Sequence, residues 1–240
     1  MIKVSDFPPL YLLDDFEFPS PYEAFEDGFV GASYDLHPKR LLEGYSRGFF
    51  PWYQDEDGMF HWFVLNERML LKTDEVKTTK RLRQKLRSKK WEFKINTRFS
   101  DVIRMCSSVK RKHENGTWIN EDFINAYTQL HKLGFALSVE SYYEGELVGG
   151  FYGVAINKYF SGESMFHIKP DASKLALIYF ADILKQNGVE YIDCQVPSEH
   201  LGRMGGKVYK KEEFIPIIQK AAKGEIIDYP QNMECINRAH

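Results

Sequence analysis

Between Leu137 and Val196 the hydrophobic pattern changes period in a way that few folds can satisfy. Leu137–Tyr143 and Leu147–Ile156 are strand-like runs on either side of Glu144-Gly145-Glu146, a sequence that closes a hairpin. Asn157-Lys158 then turns the chain into a third strand that runs through Phe166. A helix-length segment starts near Asp171 and stops at Asn187-Gly188, delivering the chain to Tyr191-Ile192-Asp193-Cys194-Gln195-Val196. Three antiparallel strands, a crossover helix and one more strand require a parallel pair beside an antiparallel sheet. Periodicity alone therefore predicts an α+β chain with a mixed sheet and helices packed on it.

The last of these strands holds an acid and an amide two residues apart. Side chains alternate along a strand, so Asp193 and Gln195 should point together from one face while Ile192, Cys194 and Val196 fill the other. The glutamine nitrogen could donate to Asp193 and its oxygen accept from a substrate. An Asp and a Gln at a strand end can equally satisfy loop backbone, and the residues alone leave both roles open. A thiol mechanism with Cys194 as nucleophile and His200 as its base is disfavoured, because Cys194 falls on the apolar face, where cysteine behaves as a small hydrophobe.

Elsewhere the chain reads as a small N-terminal subdomain over residues 1–70, followed by a larger domain over 71–240. The first part is rich in Pro, Gly and aromatics, with a helix expected from Pro38 to Arg47 that Gly48 and Pro51 terminate. Asn120 is an N-cap for a helix whose Phe123, Ala126, Tyr127, Leu130 and Leu133 recur at helical spacing. From Lys77 to Lys112 fourteen Lys or Arg face only Glu92 and Asp101, although the whole chain carries a net charge of −2. A helix over Thr78 to Arg87 would turn Leu82 and Leu86 inward and leave Lys80, Arg81, Arg83, Lys85, Arg87, Lys89 and Lys90 as a basic ridge. Such a ridge is either a solvated face or a surface for a phosphate backbone. The first thirty residues are acidic instead, with Asp6, Asp14, Asp15, Glu17, Glu23, Glu26 and Asp27.

A hydrophobic content of 43% argues against disorder, and no apolar run approaches a membrane span. The opening Met1-Ile2-Lys3-Val4-Ser5-Asp6 is unlike a signal peptide, so a cytoplasmic protein without a membrane partner is expected. Cys106, Cys194 and Cys235 are isolated, which makes a disulfide framework or structural zinc an unfavoured reading.

Several motifs in fixed order go further. Gly116-Thr117-Trp118-Ile119, Leu147-Val148-Gly149-Gly150-Phe151-Tyr152-Gly153, Ser161-Gly162-Glu163-Ser164-Met165-Phe166, Ala172-Ser173-Lys174 and Asp193-Cys194-Gln195 together resemble the bacterial leucyl/phenylalanyl-tRNA-protein transferases, from about Phe18 to Phe214. The resemblance implies an acetyltransferase-like (GNAT-like) larger domain. It implies transfer of Leu or Phe, and possibly Met, from aminoacyl-tRNA to the α-amino group of acceptor proteins beginning with Arg or Lys. Such tagging belongs to the N-end rule of protein degradation.

By the same resemblance Asp193 and Gln195 form a proton relay, and Phe151, Phe160, Leu177, Phe180 and Ile192 build the pocket for the amino acid. Trp52 and Trp118, with Tyr127 beside them, hold the terminal adenosine. Glu163 lies near the bound substrates on the strand face opposite Phe160, and Gly149-Gly150 let backbone approach them. No metal or organic cofactor is implied, and a monomer is expected.

The chain departs from the family where Ser33-Tyr34-Asp35-Leu36 replaces Gly-Gly-Asp-Leu. It departs again where Trp62-Phe63-Val64-Leu65-Asn66-Glu67-Arg68 replaces Trp-Trp-Ser-Pro-x-Pro-Arg, and where His167 stands in place of a common Ser. Asp35, Trp62 and Arg68 persist. These changes leave the acceptor residue open, with acidic N-termini as an alternative. An acyl-CoA-dependent N-acetyltransferase would need a glycine-rich turn that Lys169-Pro170-Asp171-Ala172-Ser173-Lys174 does not supply. A non-catalytic tRNA-binding module would leave Asp193 and Gln195 without purpose.

Overall fold

Two sheets divide the strands. The computed structural model describes residues 18–109, 118–227, 229 and 233–234. The acidic residues Asp6 to Glu17, the residues Gly116 and Thr117, and Cys235 lie outside the described residues. Strands β1 (Phe29–Ser33), β2 (Phe50–Gln54) and β3 (Phe60–Phe63) form a small antiparallel sheet in the order β1-β3-β2. Between its first two strands runs α1 (Pro38–Arg47). His37 caps this helix by accepting from the Lys39 N–H, and Gly48, at φ 95°, closes it in the left-handed conformation that glycine adopts without penalty.

The strand that follows, β4 (Glu67–Lys72), already belongs to the large sheet. Helix α2 (Lys80–Leu86) starts at a Thr79 cap and buries Leu82, as its spacing predicts. Next come β5 (Trp91–Ile95), α3 (Phe99–Ser107) and α4 (Glu121–Lys132). The Asn120 side chain accepts from the N–H groups of Asp122 and Phe123 and so fixes the start of α4.

The predicted block then appears in order: β6 (Ala136–Tyr143), β7 (Glu146–Ile156), β8 (Tyr159–His167), α5 (Ala172–Gln186) and β9 (Tyr191–Asp193). The first three strands pair antiparallel, and β9 returns parallel to β8. This is the order that the sequence predicts, and the fold is mixed α+β. After α6 (Glu199–Arg203), β10 (Lys207–Lys210), α7 (Lys211–Ala222) and β11 (Met233–Glu234), the large sheet reads β10-β4-β9-β8-β7-β6-β5-β11. The expected strand through Val196 is shorter than predicted. Gln195 sits at φ 57°, a conformation no strand can propagate, so β9 ends at Asp193.

Alternation along these strands feeds two cores. On one face Val139, Phe151, Phe160 and Ile192 pack beneath α5 with Leu175, Phe180 and Leu184. On the other, Tyr152, Val154 and Tyr159 join α3, α4, α7 and the small sheet in a continuous cluster that includes Trp62, Phe123 and Phe214. Trp62 is fully buried, and its indole N–H donates to Ser33 Oγ at 2.8 Å, so the serine that departs from the family pattern anchors a tryptophan that follows it.

Candidate active site

The site opens where two parallel strands part. β8 pairs with β9 only at Phe160 with Ile192 and Ser161 with Asp193. Beyond that point Gln195 turns its chain away, and its carbonyl is taken by the Met69 N–H from β4 at 2.9 Å. The β8 edge from Gly162 to Met165 is thereby left facing a cavity of about 330 Å³. Phe151, Phe160, Leu177 and Ile192 line it. Phe180 stands one layer behind, fully buried and edge-on to Phe160 with ring centres 4.9 Å apart. Cys194 and Val196 also line this cavity, so the apolar face of the last strand is the pocket wall itself. Burial first, and then the charge of Asp193, push the Cys194 thiol far above its ordinary value, which keeps it protonated.

Asp193 points the other way. It is 1% exposed and held by Arg68, whose Nε lies 2.8 and 2.9 Å from the two carboxylate oxygens and whose Nη2 lies 2.7 Å from Oδ2. Tyr159 donates its hydroxyl to Oδ2 at 2.6 Å and the Gln195 backbone N–H donates to Oδ1 at 2.9 Å. Arg68 is fully buried, donates to the Gly48 carbonyl at 2.9 Å, and lies over the rings of Phe50 and Phe214. Burial works against its cation, and the neighbouring carboxylate outweighs burial, holding its pKa above the ordinary value. The expected hydrogen bond from the Gln195 side chain to Asp193 is absent, because the left-handed turn rotates the two side chains apart.

Gln195 reaches a different acid. Its Nε2 donates to Glu163 Oε1 at 2.8 Å and to Ser161 Oγ at 3.1 Å. Ser161 also donates to Glu163 Oε1 at 3.0 Å, and Tyr127 donates to Oε2 at 3.4 Å. Glu163 borders the cavity and its carboxyl is pushed up to about 7. Burial is the main cause, and hydrogen bonds from Tyr45, Ser161 and Gln195 oppose it. Glu163 is therefore a carboxyl that can change protonation near neutrality on a cavity wall. Tyr127 is fully buried, and its hydroxyl lies 2.5 Å from that of Tyr45, so it supports Glu163 from behind and offers no stacking surface.

A groove of about 240 Å³ adjoins the cavity. Trp52, Trp118, Phe50 and Gln195 line it, and it shares Gly162, Glu163, Cys194 and Val196 with the apolar pocket. Both tryptophans are half-buried and edge-packed, Trp52 on Phe63 and Trp118 on Phe123, each at 5.0 Å. Gly149 and Gly150 lie elsewhere. A Cβ on Gly149 would meet Ala172 Cβ at 2.5 Å, and one on Gly150 the Val139 carbonyl at 2.5 Å, so close strand and helix packing requires them instead. Of the basic ridge, Lys80, Arg81, Arg83, Arg87, Lys89 and Lys90 are exposed and Lys85 is half-buried.

Sequence reasoning gave Arg68 no role. Its signal was a charged residue opening the apolar run Met69-Leu70-Leu71, a position that calls for a buried counter-ion. Tyr45, Tyr159 and Ser161 carried no signal distinguishable from ordinary core residues.

An apolar pocket thus meets a two-tryptophan groove at a carboxyl whose pKa burial raises, where the parallel strands of a mixed sheet part. The family model described as leucyl/phenylalanyl-tRNA protein transferase matches residues 70–219, and the model of its N-terminal domain matches residues 34–63. The leucyl/phenylalanyl-tRNA–protein transferase of Sulfurimonas denitrificans is 42% identical over 212 residues, covering 88% of this chain and 92% of its own. That of Myxococcus xanthus is 42% identical over 218 residues, covering 90% and 93%. Among solved structures, FemX superposes with a TM-score of 0.44 at 11% identity, covering 72% of this chain and 66% of that one. The chain belongs to the leucyl/phenylalanyl-tRNA protein transferase family. Among the described residues no helix is long and apolar enough to cross a membrane.

Proposed function

We propose that the chain transfers leucine or phenylalanine from aminoacyl-tRNA to the N-terminal α-amino group of acceptor proteins beginning with Arg or Lys. The supporting observation is the position of Glu163 on the wall shared by the apolar pocket and the tryptophan groove. With the amino-acid side chain in the pocket and the terminal adenosine between Trp52 and Trp118, the ester carbonyl falls at that wall. The acceptor nitrogen attacks the carbonyl carbon, a C–N bond forms, and the bond to the ribose oxygen breaks.

An α-amino group titrates at about 7.7 to 8.0, so it must shed a proton to attack, and the leaving ribose oxygen must gain one. The ammonium releases one proton to solvent before attack; as the C–N bond forms, Glu163, poised at about 7, takes the second proton that the nitrogen must lose and returns it to the ribose oxygen. Gln195, whose nitrogen is held by Ser161 and Glu163, keeps its amide oxygen for an N–H of the incoming amine. Asp193 acts through its neighbours. It holds the Gln195 backbone in the turn that aims this amide, which makes it a positioning residue.

The test is transfer of labelled Leu or Phe from charged tRNA to peptides beginning with Arg, Lys, Asp, Glu or Ala. Transfer to the Arg and Lys peptides is the expected result. Transfer confined to acidic peptides would keep the chemistry and change the acceptor, and no transfer with tRNA binding intact would overturn the proposal.

A further inference from the structure

A third cavity, of about 430 Å³, continues from the apolar pocket, sharing Met165 and His200 with it. Its lining includes His167 at the end of β8 and Lys174 in the first turn of α5. The acid in its wall, Asp171, is already engaged. Lys85 Nζ lies 2.8 Å from Oδ2, Arg81 Nη2 lies 3.0 Å from Oδ2, and Lys174 Nζ lies 3.5 Å from Oδ1. Three cations thus converge on one carboxylate, with His167, His200 and Arg203 close by. Burial, and then the charges of Lys174, Arg203 and His167, hold His200 below the usual imidazole value. None of these residues takes part in the transfer chemistry derived above, and Arg81, Lys85 and Lys174 set three positive charges against the single carboxylate of Asp171.

The cavity lies between two surfaces that the tRNA reading already uses. Arg81 and Lys85 reach it from α2, the helix of the basic ridge, and His200 and Met165 connect it to the amino-acid pocket. On the donor reading, a tRNA body on the ridge would bring its unpaired 3′ strand to the side of the apolar pocket on which Arg81 and Lys85 meet Asp171. We propose that the cavity is a phosphate subsite, in which Lys174, His167 and His200 hold a backbone phosphate of the single-stranded 3′ end of the donor tRNA. The proposal rests on the donor reading above. The chemistry is that of a cationic groove tracking a single strand, where attraction to phosphate scales with the charges supplied.

The experiment compares two donors, charged tRNA and a 3′-aminoacyl-adenosine that carries no phosphate, in wild type, Lys174→Met, His167→Ser and Lys174→Arg. Removing Lys174 is expected to raise the KM for charged tRNA on the order of fivefold and to flatten the dependence of log affinity on log salt by about 0.7 for each phosphate no longer neutralised. Transfer from the phosphate-free donor should not change, and Lys174→Arg should restore the tRNA KM. Thermal melts of each variant check folding, which the two remaining Asp171 partners should preserve.

An unchanged tRNA KM and salt slope in Lys174→Met and His167→Ser would overturn the subsite. So would an equal loss with both donors, or a rise in the KM of an acidic acceptor peptide, which would assign the cavity to the acceptor. Should wild type transfer from neither donor, the activity reading fails, and anisotropy binding of uncharged tRNA still decides the subsite by the same Lys174 dependence.

Discussion

Arg68 and Asp193, 125 residues apart in sequence, form a two-point ion pair from which solvent is excluded on both sides. The pair joins β4 to the end of β9, and through Gly48 and Phe50 it ties the small sheet to the turn that carries Gln195. A buried pair of this kind is weak evidence of net stabilisation, but removing one partner strands the other's charge. Arg68→Met and Asp193→Leu should each cost about 3 to 5 kcal/mol, and the double variant less than either. Urea denaturation of the four proteins checks this, and additive losses would contradict it. Arg68→Lys should behave nearly as badly as Arg68→Met, because an ammonium cannot make the fork to both oxygens.

Glu163 gives the protein a pH signature. Its carboxyl titrates at about 7 in the folded chain against an ordinary 4.5, so between those values the native state binds more protons than the unfolded one. Stability contributed by this group is therefore complete below about 4.5 and declines as pH rises towards 7. Glu163→Gln should flatten that part of the stability curve. In activity the sign reverses. Transfer by wild type should rise with ionisation of Glu163, with an apparent pKa near 7 in the donor-free enzyme. Glu163→Gln should lose that limb and at least about 100-fold in rate, a general-base contribution of ordinary size.

Gln195 occupies a backbone conformation that a long side chain adopts only under constraint. Its N–H, its C=O and its side-chain amide nitrogen are each held, by Asp193, Met69 and the Ser161–Glu163 pair respectively. Asn accepts the left-handed region readily but is one methylene too short to reach Glu163. Gln195→Asn should therefore lose no more than about 1 kcal/mol of stability while transfer falls sharply. Because the Gln195 hydrogen bond lowers the Glu163 pKa, residual activity should titrate at higher pH than wild type. An unchanged pH midpoint would separate Gln195 from Glu163.

The block from β6 to β9 was legible because each boundary was written locally, in Glu144-Gly145-Glu146, in Asn157-Lys158 and in Asn187-Gly188. That Phe151, Phe160 and Ile192 line one cavity came from the family resemblance, since alternation alone could not tell a pocket wall from ordinary core. The partner of Asp193 was not legible, since β4 reaches β9 from more than a hundred residues upstream and nothing local in either strand records that pairing. The side-chain hydrogen bond expected from Gln195 to Asp193 is missing because of one torsion angle. Neither Gly nor Asn marks position 195, so alternation was carried two residues too far. Glu163 was placed on the correct face, opposite Phe160, but only the fold brings Gln195 against it.

Trp52 and Trp118 should separate donor binding from chemistry. Base stacking on an aromatic platform is worth about 1 to 3 kcal/mol, so either tryptophan replaced by Ala should raise the KM for charged tRNA roughly 5- to 150-fold. The rate at saturating donor should hold, because neither ring touches Glu163 or Gln195 in the hydrogen-bond network. Steady-state kinetics with a fixed Arg-initiated peptide measures both quantities. A fall in the saturated rate with KM unmoved would assign these rings to packing between the two sheets.

Leu177 narrows the apolar cavity proposed to take the amino-acid side chain. It projects from α5 into the cavity beside Phe151 and Phe160, and it is 3% exposed. Leu177→Ala should cost about 2 to 5 kcal/mol of stability, since the rigid aromatic floor cannot collapse into the space. The same space admits a larger ring. The ratio of kcat/KM for Phe-tRNA to that for Leu-tRNA should rise roughly tenfold, the scale on which a hydrophobic pocket discriminates by a methylene or two. The reverse substitution, Leu177→Phe, should reject phenylalanine before leucine. Competition between differently labelled Leu-tRNA and Phe-tRNA in one reaction reads both changes, and a ratio unmoved in either variant would place the amino-acid side chain outside this cavity.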